Sequence, residues 1–65
     1  MNLKDKLRIA KIRQSEIAKN TDLSEPYVNL VLNGSRSSSK VTNEASRLLS
    51  EFLKDNPAFK EVFNG

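Results

Sequence analysis

The polar side chains that could do chemistry in this 65-residue chain are hydrogen-bond donors rather than nucleophiles. Amides and cations recur between residues 14 and 40, among them Gln14, Asn33, Arg36 and Lys40. Groups of this kind donate hydrogen bonds to anionic oxygens, above all those of phosphate. Cysteine and histidine do not occur in the sequence. Their absence excludes disulfides, zinc sites built from these residues and a histidine general base.

An enzyme is the weakest interpretation of the sequence. Glycine occurs only at positions 34 and 65, so there is no glycine-rich phosphate loop. A chain of this length buries only about 60% of its surface, which leaves no room for a pocket with paired carboxylates. We therefore expect no catalytic residue, no metal, no cofactor and no small-molecule ligand.

Positive charge is concentrated in two segments of the chain, which has a formal net charge of +3. Residues 1–13 carry five cations against one carboxylate, and residues 35–47 carry three against one. The segment between them is net negative. Basic flanks suit a surface that contacts nucleic-acid phosphates, because neutralising phosphates releases counterions. Lysines on a solvated helix face would give the same pattern, so charge alone leaves both interpretations open.

The hydropathy pattern indicates a protein without a membrane segment. No apolar run approaches the 18 or so residues of a membrane span, and residues 1–6 lack the apolar stretch of a signal peptide. We expect a single cytoplasmic domain that covers residues 1–65.

The spacing of apolar residues predicts an all-α fold of five short helices without strands. The first three helices are expected over about residues 2–12, 14–20 and 24–32, with Ser24 or Glu25 as the cap of the third. A polar loop over 34–40 follows. The fourth helix is expected to start at a cap of Thr42 or Asn43, and the fifth at Asn56 with Pro57 in its first turn.

Residues 14–34 carry the most specific pattern. Two short helices joined by about three residues, with small Ala18 facing the turn, can cross closely as in a helix-turn-helix. The run Gln14-x-x-Ile17-Ala18-x-x-x-Asp22-Leu23-Ser24-x-x-x-Val28-x-x-Val31-Leu32-Asn33-Gly34 resembles the helix-turn-helix of the phage repressor and Cro family. The LacI-type headpiece has a similar run from Ser24. A full helix before Gln14 favours the phage-repressor type. Asp22 stands where this family usually has a turn glycine, and Arg13 where it usually has a capping threonine.

The resemblance implies a compact five-helix domain of the lambda-repressor type whose third helix lies in the major groove of duplex DNA. It implies a sequence-specific transcriptional regulator that acts as a repressor of phage or prophage type in a bacterial or phage-infected cell. A pseudo-palindromic operator read by a twofold dimer is expected. The alternative is a protein-interaction module of antitoxin or antirepressor type that uses the same scaffold.

The site residues follow from this placement of the third helix. The predicted base readers are its exposed positions, Glu25, Pro26, Tyr27, Asn29 and Leu30. The predicted contacts with the DNA backbone are Gln14, Ser15, Asn33, Ser35, Arg36, Ser38 and Lys40.

Most of these positions have a structural alternative. Leu30 or Leu32 could belong to the buried apolar face of α3. Glu25 could simply place a negative charge at the positive end of the helix dipole. Tyr27 could pack on the first helix instead of contacting DNA. Asn29 could pair with adenine or with a phosphate, Asn33 could serve only the helix end, and residues 35–40 could form a plain flexible loop.

Three apolar residues near the end of the chain have two possible roles. Phe59, Val62 and Phe63 either close the core or form a dimer interface, and we expect some of each. Phe63, two residues from the end, is expected to leave the core at little cost to folding. One short helix buries little area, so the homodimer is expected to be weak and strengthened on DNA.

Overall fold

The computed structural model describes residues 2–64, and within them the chain forms five α-helices and no strand. They are α1 (Leu3–Ile9), α2 (Gln14–Thr21), α3 (Glu25–Leu32), α4 (Ser39–Asp55) and α5 (Phe59–Asn64). The predicted all-α class with five helices is therefore confirmed. Across residues 2–64, no helix is both long enough and apolar enough to cross a membrane.

The core lies where α2, α3 and α4 meet. The largest side chains with no exposed surface are Ile17 of α2, Val28 of α3 and Val41 of α4. Leu7 of α1 and Phe63 of α5 extend this core on its other sides. Burial of apolar faces stabilises helices that are too short to persist alone in water. The packing therefore fixes which face of α3 remains outside.

The first helix is shorter than the predicted span of 2–12. It ends at Ile9, and Lys11 adopts a left-handed conformation with φ 59°. The Ile12 N–H donates to the Leu7 carbonyl at 2.9 Å, and the Lys11 N–H donates to the Arg8 carbonyl at 3.0 Å. This pair of backbone bonds typically closes a helix at a left-handed residue. The turn also lets Ile12 pack against the core.

Replacing Lys11 by glycine is expected to raise the free energy of unfolding by about 1 kcal/mol, because glycine adopts positive φ without the steric cost of a Cβ atom. Urea denaturation followed by circular dichroism measures the change. Lys11→Ala is the matched control, since it removes the same charge and stem but keeps the Cβ atom. A glycine variant no more stable than the alanine variant would show that this turn is not strained.

The ends of α2 and α3 follow the sequence pattern. Asp22 closes α2 in the left-handed region with φ 61°, the conformation that the usual glycine would adopt. The Ser24 side chain accepts the Tyr27 N–H at 3.3 Å, so Ser24 rather than Glu25 is the cap of α3. Gly34, with φ 87°, follows the end of α3 in the left-handed conformation that glycine adopts readily.

The fourth helix starts earlier than predicted. Its cap is Ser38, whose Oγ accepts the Val41 N–H at 3.3 Å, and not Thr42 or Asn43. The physical reason is Val41, which is completely buried and reaches the core only if the helix has already begun at Ser39. The loop after α3 therefore ends at residue 38, and Lys40 lies in the first turn of α4.

The last helix also starts differently. Asn56 does not cap α5: its amide donates to the Phe52 carbonyl at 2.9 Å and so closes α4. Pro57 lies in the turn that follows, and α5 begins at Phe59. The difference arises because an asparagine between two helices can satisfy the end of one or the start of the other.

The three C-terminal apolar residues divide between core and surface. Phe63 is only 7% exposed, and its ring stacks on that of Phe52 with centroids 6.2 Å apart. The expectation that Phe63 leaves the core at little cost is therefore wrong. Phe59 is half-buried with its ring edge-on to Phe52 at 5.2 Å, whereas Val62 is 47% exposed. Of these three predicted dimer contacts, Val62 is the one whose side chain is on the surface.

Candidate nucleic-acid interface

The pair formed by α2 and α3 positions the candidate interface. Residues 22–24 connect the two helices, and half-buried Leu23 packs against the core from this turn. Ala18 is 7% exposed, and such a small side chain allows the helices to approach closely. Thr21 is buried, but its hydroxyl donates to the Ile17 carbonyl at 2.7 Å, so this buried polar group has a hydrogen-bond partner. Close packing against α2 and the packed turn at Leu23 therefore hold α3 in a fixed position.

The outer face of α3 combines charged and apolar exposed groups. Val28 and Val31 are buried. Leu32 packs against the core, so it belongs to the buried side of α3. Leu30 is 41% exposed, so it does not belong to the buried face of α3. Glu25 and Pro26 are exposed in the first turn of the helix. These three positions form the exposed outer face of α3.

Tyr27 and Asn29 are half-buried rather than fully exposed. Tyr27 packs partly against the core, which restricts the surface that its ring can present. Asn29 is tied to the start of α2, because Gln14 Nε2 donates to Asn29 Oδ1 at 3.2 Å. Pairing with adenine uses both the oxygen and the nitrogen of an asparagine amide. The bond to Gln14 therefore favours donation from Asn29 Nδ2 alone.

A second hydrogen bond connects α1 to the end of α3. Lys4 Nζ donates to Asn33 Oδ1 at 2.6 Å, and Asn33 is the C-cap residue of α3. Lys4 is not among the DNA contacts predicted from the sequence. The signal available for it was the high density of cations over residues 1–13, which did not show which of them would lie beside α3.

An open groove of about 200 Å³ lies beside this bond. It is lined by Lys4, Leu7, Arg8, Ile12, Gln14 and Leu32, and we call it the α1–α3 groove. Its lining thus combines two cations and an amide with leucine and isoleucine side chains. Together with the two hydrogen bonds above, the groove brings Gln14, Asn29 and Asn33 onto one surface with Lys4 and Arg8.

The remaining predicted backbone contacts lie at helix starts and in the loop after α3. Ser15, Ser35, Arg36 and Lys40 are exposed. The Arg36 N–H donates to the Leu30 carbonyl at 3.3 Å, which holds the start of the loop against the end of α3. Ser38 is half-buried, and its oxygen already accepts the Val41 N–H. This bond gives Ser38 a structural role as a helix cap, in place of the predicted Thr42 or Asn43.

Arg47, which belongs to the basic segment of residues 35–47, is hydrogen-bonded to glutamate side chains. Arg47 donates to Glu44 Oε1 at 2.9 Å and to Glu51 Oε1 at 2.8 Å. Asn20 of α2 also donates to Glu44, at 2.8 Å. The hydrogen bond from Arg47, followed by that from Asn20, holds the pKa of the Glu44 carboxyl below its ordinary value. Arg47 is thus neutralised locally, and Arg36 and Lys40 supply the available positive charge of this segment.

Comparison of the chain with protein-family models, with curated proteins and with solved structures finds no match. Within residues 2–64, no cluster of three or more acidic side chains forms a possible metal site. The side chains described above and the pattern of residues 14–34 are therefore the features that indicate a function.

Proposed function

We propose that the chain binds double-stranded DNA in a sequence-specific manner and regulates transcription, as a repressor of phage or prophage type. The observation that carries the proposal is the outer face of α3, where Glu25, Pro26 and Leu30 are exposed on a helix held by a buried support. An α-helix fits the major groove of B-form DNA, where base edges are distinguishable. The amides of Gln14 and Asn33 lie on one side of this helix, where Gln14 bonds Asn29 and Lys4 bonds Asn33.

The proposal divides the side chains between reading and positioning. Glu25 accepts a hydrogen bond from a cytosine amino group, and Pro26 and Leu30 contact thymine methyl groups. Gln14 and Asn33, with the exposed residues of the loop, donate to the phosphates of the backbone and set the register of α3. Contacts of the second kind carry no sequence information by themselves.

A homodimer completes the proposal. One domain of this size reads only a few base pairs, and a twofold dimer doubles the site. Exposed Val62 with half-buried Phe59 offers a small apolar patch on α5 for a second copy. A patch this small supports only a weak dimer in solution, which binding to adjacent half-sites strengthens.

The test is selection of bound duplexes from a random pool. We expect an enriched consensus with two half-sites related by twofold symmetry, about 10 base pairs apart. A pool that shows no enrichment after repeated rounds would contradict sequence-specific binding. That result, with a protein partner captured equally well at low and high salt, would favour the interaction-module alternative.

Glu25→Ala and Leu30→Ala are each expected to weaken binding to the selected site by about 1–3 kcal/mol and to relax the preference at one base position. Both side chains are exposed, so the variants should fold. Arg36→Ala is the control, because loss of a phosphate contact weakens binding to all duplexes alike. If selection with the Glu25 and Leu30 variants returns the original consensus, the assignment of base readers is wrong.

A further inference from the structure

We infer that Lys4 and Asn33 together form a binding site for one phosphate of the DNA backbone at the edge of the α1–α3 groove. The inference rests on the proposed function and extends the DNA-binding surface to α1. Neither Lys4 nor any other residue of α1 belongs to the pattern of residues 14–34.

The first support is the orientation of the Asn33 amide. A lysine ammonium has only donors, so the 2.6 Å bond identifies Oδ1 as the atom of Asn33 that meets Lys4. This bond uses one of the three N–H groups of Lys4 and leaves Asn33 Nδ2 as a second donor. Two donors from elements far apart in sequence are thus held next to each other. A phosphate can accept hydrogen bonds from both with separate oxygens.

The second support is electrostatic. Asn33 lies at the C-terminal end of α3, where the helix dipole is negative and repels an anion. The last turn of α3 contains no basic residue. A phosphate that contacts Asn33 therefore requires a cation from another element, and Lys4 supplies it.

The third support is the state of the Lys4 charge. The ion pairs found among residues 2–64 involve Arg8 with Asp5, and Arg47 with Glu44 and Glu51. The observed partner of Lys4 is instead a neutral amide, so its full charge remains for an anion. Leucine and isoleucine side chains line the groove together with Lys4. Apolar side chains next to a charge reduce its contact with water and so reduce screening.

The test compares Lys4→Met with Lys60→Met in the 65-residue chain. Both changes remove one ammonium and keep an apolar stem, and Lys60 is exposed on α5, outside the groove. Binding is measured by fluorescence anisotropy with the selected duplex and with an unrelated duplex over a salt series. We expect Lys4→Met to weaken both duplexes about five- to tenfold near 0.1 M salt and to reduce the salt slope by about 0.9. Lys60→Met should change neither quantity.

Two further variants separate a phosphate contact from a structural effect. Lys4→Arg keeps the charge and should keep the wild-type salt slope. Lys4→Met combined with Asn33→Ala should lose less binding than the sum of the single losses, because both residues serve one phosphate. Equal salt slopes for Lys4→Met and Lys60→Met, with wild-type binding intact, would overturn this site alone. Failure of the wild-type chain to bind any duplex would overturn the proposed function itself.

Discussion

Raising the salt concentration from about 50 mM to about 200 mM is expected to weaken the binding of this chain to duplex DNA roughly a thousandfold. The cations on or beside the proposed interface are Lys4, Arg8, Arg13, Arg36 and Lys40. Arg13 is exposed at the N-cap of α2, and Arg8 also contacts Asp5 in an exposed ion pair at 3.4 Å, which is weak in water. If these neutralise about five or six phosphates, the logarithm of the binding constant falls with the logarithm of salt at a slope of about −5. Anisotropy titrations at four or five salt concentrations measure this slope. A flat titration would exclude a phosphate-contacting surface.

Two arginines of the second basic segment provide the internal control for this prediction. Arg36 is exposed in the loop after α3, whereas Arg47 is held by Glu44 and Glu51. Arg36→Ala should therefore reduce the salt slope by about 1, and Arg47→Ala should leave it unchanged. Equal effects of the two variants would mean that overall charge, rather than this surface, determines binding.

Truncation of Phe63 to alanine is expected to lower the free energy of unfolding by about 3 kcal/mol, the lower end of the range for a buried phenylalanine. A chain of this size has only about 3–10 kcal/mol in total. The loss follows from the burial of the ring and from its stacking on Phe52. Thermal unfolding followed by circular dichroism should show a midpoint lower by about 12–24 °C.

Val62→Ala is the matched control, because Val62 precedes Phe63 on the same helix but is 47% exposed. It should change the free energy of unfolding by less than about 0.5 kcal/mol. It should also reduce cooperative binding to a duplex with two half-sites while binding to one half-site is retained. A destabilising Val62→Ala together with a silent Phe63→Ala would contradict the burial pattern of α5.

The number of helices and the core face of α3 could be predicted because both depend on local apolar spacing. Val28 and Val31 have helical spacing, and the turn between α2 and α3 has a recognisable cap in Ser24. The start of α4 could not be predicted in this way, since serine, threonine and asparagine are all good caps. Burial of Val41 selects Ser38 among them, and burial is a property of the tertiary structure. Nothing in the local sequence indicates a left-handed lysine at position 11.

The candidate interface was predictable to a similar extent. Helical spacing was enough to expect Glu25, Pro26 and Leu30 on the outside of α3. The contact of Lys4 with Asn33 joins residues 29 positions apart, and it depends on how α1 packs beside α3. The engagement of Arg47 could have been anticipated, since Glu44 and Glu51 stand three and four residues away on the same helix.

The hydrogen bond between Gln14 and Asn29 limits how this domain could be re-engineered to recognise other targets. Changing position 29 alone removes the acceptor for a half-buried amide on α2, so a variant library would mix altered preference with a loosened support for α3. Positions 14 and 29 should therefore be varied together as one unit. Positions 25, 26 and 30 can be randomised independently. The surface that α3 presents therefore offers three independent positions for redesign and one coupled pair.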